Sequence, residues 1–115
     1  MAGKNEEGMD LRARHCTPCE GGTPPLEEEK VRRLLGKLEG WEREGKGISK
    51  LFRFKNYGQT MGFVNAVAWI AQREGHHPDL QVGYNTCRVS YVTHAVGGLS
   101  ENDFICAARV EALLA

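Results

Sequence analysis

A chain of 115 residues, 41% apolar and 26% charged, has the make-up of one ordinary globular domain. Fifteen Lys plus Arg balance fifteen Asp plus Glu, which argues against the broad basic face that nucleic-acid binding requires and leaves little self-repulsion to oppose association. No apolar run approaches the ~18 residues of a membrane span.

Met1 to Arg14 carries Glu6, Glu7 and Asp10 and has no apolar stretch. It reads as neither a secretory signal nor an acid-poor transit peptide. The expectation is a cytoplasmic protein whose four cysteines stay reduced. Residues 1–25 are polar and aperiodic, contain Cys16-Thr17-Pro18-Cys19, and close on the breaker Gly21-Gly22-Thr23-Pro24-Pro25. They are expected to form an extended or loosely ordered arm ahead of a domain spanning 26–115.

From Leu26 to Leu38, Val31, Leu34, Leu35 and Leu38 recur at helical spacing, with Glu27, Glu28 and Glu29 in the first turn. Gly40 is expected to stop this helix. Trp41–Glu44 and Ile48–Lys55 follow as two strands around Gly45-Lys46-Gly47, with Phe52 and Phe54 on one face. Gly58–Glu74 predicts a central helix whose stripe is Phe63, Val67, Ile70 and Ala71, widened by Val64 and Ala68. Gly75 supplies a left-handed C-cap.

Leu80, Val82 and Tyr84 alternate as a third strand, and Arg88–His94 as a fourth. Gly97-Gly98 breaks the chain, and Ser100-Glu101-Asn102-Asp103 has the form of a capping box opening a last helix that runs through Leu114. The order helix, two strands, helix, two strands, helix predicts an α+β fold. Its architecture is a four-stranded antiparallel sheet with three helices packed on one face.

Three of the four histidines fall within nineteen positions: His76 and His77, ahead of Pro78, and His94. Imidazole exchanges protons near neutral pH and also binds zinc. Adjacent residues in an extended segment point to opposite faces, and no H-x-H or H-E-x-x-H pair is present, so the spacing disfavours a shared ion. Acid–base work requires only that the rings surround a substrate. His76 as a helix cap and His77 as a surface residue is the plainer alternative. Cys16 and Cys19, preceded by His15, admit half a zinc knuckle, a redox pair or two reduced thiols. Cys87 and Cys106 read as small core residues. Trp41 is either core or a stacking platform for a flat heterocycle. Asp103 is explained as the cap partner of Ser100, with a second role on a histidine left open.

The run Gly75-His76-His77-Pro78-Asp79, with five residues between Pro78 and Tyr84, nine between Tyr84 and His94 and eight between His94 and Asp103, resembles the pterin-4a-carbinolamine dehydratase signature. Gly40-Trp41, Phe52-Arg53-Phe54, Phe63-x-x-x-Val67 and Gly98-Leu99-Ser100-x-x-Asp103 occupy matching places. The run from Cys16 to Leu26 resembles the extension found in microbial members. The resemblance implies a metal-free and cofactor-free homodimer or homotetramer that dehydrates 4a-hydroxytetrahydropterin to quinonoid dihydropterin, after an aromatic amino-acid hydroxylase. It implies His76, His77 and His94 as the catalytic trio. Trp41 would wall the pterin site, Pro78 would fix the junction, and Asp103 would orient His94. It also leaves open a binding module of the same fold, serving transcription or a molybdopterin enzyme. One departure stands out: Gln72 occupies the position where the family often has a carboxylate.

Overall fold

The computed structural model describes residues 10–115, so the first nine residues of the predicted arm lie outside the described part. The elements are α1 (Glu28–Leu35), β1 (Glu42–Glu44), β2 (Gly47–Arg53), α2 (Tyr57–Glu74), β3 (Asp79–Val82), β4 (Thr86–Tyr91) and α3 (Glu101–Ala112). The strands form one antiparallel sheet in the order β1-β2-β4-β3, giving the α+β arrangement that the element order predicts. β4 is the last strand to arrive and inserts between β2 and β3. The start of β3 consequently lies beside the end of β4, with Asp79 opposite Ser90. No helix among the described residues is long and apolar enough to cross a membrane.

Alternation on β4 sends Cys87, Val89 and Tyr91 inward and leaves Thr86, Arg88 and Ser90 on the outer face. Phe63, Val67 and Ala71 of α2, and Phe104, Ile105 and Ala108 of α3, bury the same side. Ser100 caps α3 as predicted: its hydroxyl accepts from the helix backbone, and Asp103 Oδ2 accepts from the Ser100 N–H at 2.9 Å.

Several boundaries differ from the sequence reading. α1 ends at Leu35, and Leu38 reaches the core from the turn that follows, in which Gly40 takes a φ of +87°. Ala68 is exposed rather than part of the α2 stripe. The fourth strand stops at Tyr91. Thr93 instead makes an isolated bridge to Gly98, and His94 opens a single 3-10 turn closed by the left-handed Gly97. His94 therefore stands on a turn beyond the sheet, not on a strand.

The described part of the arm is not loose. Leu11 enters the core on a 3-10 turn against α3. Arg14 is buried and pairs with Glu101, which also holds Lys30. Its carbonyl accepts from Arg109 Nε and Nη2. Glu74, at the end of α2, accepts from the Cys16 backbone N–H at 2.8 Å and faces His15 Nδ1 at 3.0 Å. Composition alone marks residues 10–25 as a loop. Long-range ion pairs and hydrogen bonds make them part of the packed structure.

Phe104 is fully buried where α3 meets the sheet, so Phe104→Ala is expected to cost about 3–5 kcal/mol in urea unfolding. Burial pushes the carboxyls of Glu74 and Glu101 upward. Their hydrogen bonds and cationic neighbours outweigh it and hold both below their ordinary 4.5: Cys16 N–H, His15 and Arg109 for Glu74, Lys30 and Arg14 for Glu101. Groups with depressed folded-state values stabilise above the unfolded pKa and lose that contribution as pH falls through the folded one. The stability gap between wild type and a Glu74→Gln, Glu101→Gln double variant should be widest near neutral pH and should shrink below pH ~4.5.

Candidate functional site

The site grows from the exit of α2. Gly75 adopts φ +66°, and both its N–H and that of His76 turn back to the Ala71 carbonyl. This closes the helix and throws the next residues toward the sheet edge. Pro78 sits half-buried immediately before β3 and has no N–H to leave unpaired, and pairing begins at Asp79. Antiparallel pairing puts this entry next to the exit of β4, from which His94 follows on its turn. His76, His77 and His94 consequently line one open cavity of about 660 Å³.

The three rings are not equivalent. His77 and His94 are exposed, whereas the His76 side chain is only 12% exposed. His76 Nε2 lies 2.6 Å from Asp103 Oδ1. A carboxylate only accepts, so Nε2 carries the hydrogen and Nδ1 is the nitrogen left for exchange. The His76 ring stacks on Tyr91 at 5.7 Å between centroids and 9° between planes. Asp103 itself is fully buried, and its Oδ2 accepts from Thr93 Oγ1 at 2.8 Å as well as from the Ser100 N–H. Each contact removes freedom from the carboxylate or the ring, which is how a proton-transfer group is held in register.

Asp103 thus holds a histidine, but the expected partner, His94, is wrong. The carboxylate lies under the helix–strand junction and serves His76. Being fully buried, it supports the cavity from beneath and does not line it. Trp41 is also misplaced as a pterin wall. It is 4% exposed, packs edge-on against Phe52, touches Tyr91 at 6.2 Å, and donates from Nε1 to Glu111. It therefore stands one ring behind His76, in the core. Pro78 shapes the junction without lining the cavity, whereas Gln72 does line it.

Sequence reasoning missed Tyr91, Thr93 and Asn102. Tyr91 falls inside the predicted fourth strand, and nothing in its spacing marks a ring that backs a histidine. Burial raises its phenol well above the ordinary 10, so it remains neutral. Cys16 and Cys19 line the same cavity as the histidines. Among the described residues no three His, Cys, Asp or Glu side chains come together as a metal-binding group. What the arrangement offers is one anchored imidazole and two exposed ones around a space of small-molecule size.

The sequence model of the family described as pterin 4 alpha carbinolamine dehydratase matches residues 24–113. A protein of Nitrosospira multiformis, provisionally named pterin-4-alpha-carbinolamine dehydratase, is 62% identical over 104 residues, covering 90% of this chain and 92% of its own. One of Nitrosomonas eutropha with the same provisional name is 63% identical over 106 residues, covering 91% and 94%. Among solved structures, a transcriptional coactivator/pterin dehydratase from Brucella melitensis superimposes with a TM-score of 0.76 at 29% identity. That match covers 79% of this chain and 99% of that one. A pterin dehydratase-like protein described as a RuBisCO assembly factor of the alpha-carboxysome matches with a TM-score of 0.57 at 31% identity, over 65% of this chain and 89% of that one. With nine-tenths of its length aligned to such relatives and the family pattern running through all four strands and three helices, the chain belongs to the pterin-4a-carbinolamine dehydratase family.

Proposed function

We propose that this protein dehydrates 4a-hydroxytetrahydropterin to quinonoid dihydropterin by histidine acid–base catalysis. The observation that carries the reading is the anchored imidazole of His76, bonded to buried Asp103 and sharing a cavity with His77 and His94. In the reaction the C4a–O bond breaks, the hydroxyl leaves as water with one added proton, and a ring-nitrogen proton departs as the C=N bond forms. One group must give a proton and another must take one. Two imidazoles on either side of a flat ring meet that demand near neutral pH.

His76 and His94 divide the transfers between them in this reading. His76 works through Nδ1 while Asp103 fixes its tautomer, and His94 approaches from the turn beyond β4. His77, exposed at the rim, binds the substrate and shapes the mouth. No metal or organic cofactor enters the scheme. The physiological setting would be pterin recycling after an aromatic amino-acid hydroxylase, in the cytoplasm, by a homodimer or homotetramer. Exposed Trp69, Val82 and Tyr84 provide apolar surface for such association.

A second reading has support in the names of the two solved neighbours, a coactivator and an assembly factor. In it the fold serves as a binding module and turnover is secondary or absent. Supplying the 4a-carbinolamine and following quinonoid product separates the two. Under the dehydratase reading, His76→Ala and His94→Ala each slow turnover at least about tenfold while circular dichroism shows an intact fold. Unchanged rates in both variants would remove the mechanism. Gln72 lines the cavity without charge, so Gln72→Glu should leave kcat equal or higher in the same assay, because a carboxylate beside the rings favours their protonated form.

A further inference from the structure

The family's sequence model begins at residue 24, after the segment Cys16-Thr17-Pro18-Cys19, yet all four of those residues line the histidine cavity. The Brucella structure is matched over nearly its whole length while about a fifth of the present chain is left over. The alignments to the Nitrosospira and Nitrosomonas proteins leave no more than about a tenth of this chain unmatched, so they extend into the arm. The cavity therefore has one side built by the shared domain and another built by an added segment.

That segment is held from three directions. Asn102, buried on the first turn of α3, grips Thr17 in both senses: its Oδ1 accepts from the Thr17 N–H at 3.0 Å and its Nδ2 donates to the Thr17 carbonyl at 2.6 Å. A side-chain amide that pairs with both backbone groups of one residue imitates a strand partner and fixes position and orientation together. The same Nδ2 lies 3.3 Å from Cys19 Sγ. Glu74, at the end of α2 and two residues before His76, holds the Cys16 N–H. Cys16 Sγ rests 3.4 Å from the buried Cys106 Sγ. Both elements that clamp the loop also carry the machinery, since α2 leads into His76 and α3 bears Asp103.

We propose that residues 16–19 form a substrate-binding wall of the cavity and that Asn102 and Glu74 are positioning residues for it. The ligand class is a flat, polar, bicyclic heterocycle of the pterin type, which the wall meets with the Pro18 ring and with backbone amide and carbonyl groups. The inference rests on the function proposed above and adds to it a second face for the substrate. Because the loop's hydrogen bonds run to Glu74, Asn102 and Cys106 and not to His76 or His94, its release weakens binding and spares chemistry. The clamp therefore acts on KM and leaves kcat alone.

The test uses the full-length chain and two probes: the 4a-carbinolamine for turnover, and fluorescent biopterin for binding without turnover. Asn102→Ala and Glu74→Ala release the wall from opposite sides. Each should raise KM and the biopterin Kd by about tenfold, with kcat within about twofold of wild type. Glu74→Gln keeps an acceptor for the Cys16 N–H and should stay within about threefold of wild type in both constants. A variant that is merely less folded would lose active fraction, hence apparent kcat, and keep its KM. KM and Kd unchanged in both alanine variants, or kcat falling at constant KM, would overturn the proposal. If the wild type binds biopterin with a Kd sensitive to both substitutions yet turns over no carbinolamine, the wall stands and the dehydration reading falls. A wild type that binds no pterin overturns both.

Discussion

The bond from His76 to Asp103 joins the exit of α2 to the start of α3, and the rest of the site is arranged around it. A buried carboxylate is costly unless its lone pairs are filled. Here they are filled by His76, by the Thr93 hydroxyl and by the Ser100 N–H. Those three donors come from the α2–β3 junction, from the chain leaving β4, and from the N-cap of α3. Satisfying one charge therefore ties the α2–β3 junction to the stretch of chain that runs from β4 into α3. The capping box, a local device for starting a helix, also positions the His76 imidazole.

The same economy explains why the rings differ. His76 lies between Tyr91 below and Asp103 behind, with Trp41 one layer deeper. It inherits the rigidity of the core. His77 and His94 project from a junction and a turn and are exposed. One fixed imidazole beside two exposed ones is the asymmetry on which the proposed division of proton transfers rests.

Much of this was legible in the sequence where local chemistry decides the outcome. The Ser100–Asp103 box, the left-handed Gly75 and the Phe63, Val67, Ala71 stripe each depend on neighbours within about one or two helical turns. The errors lie where a distant contact decides. Alternation through Val92 and His94 looks like continued strand, and only the Thr93–Gly98 bridge shows that the chain turns away. Spacing shows that Asp103 can reach a histidine and cannot tell which, since His76 and His94 flank it from different elements. Trp41 beside a glycine looks as suitable for a ligand as for a core, and its burial is settled by Phe52, Tyr91 and Glu111 from other parts of the chain. The arm is the clearest case: a polar, Gly- and Pro-rich stretch has no periodicity to read, and its order comes from Glu74, Glu101, Asn102 and Arg109.

Gly75 carries a consequence of its own. A Cβ built there would meet nothing within 4 Å, so packing places no veto on a larger residue. The obstacle is the left-handed backbone, which disfavours an L-residue by roughly 1–2 kcal/mol and is most tolerable for asparagine or aspartate. A side chain there would strain the backbone that leads into His76 and His77 without opening a hole in the interior. Evolution thus has a site at which the lining of the histidine cavity can change while the scaffold survives.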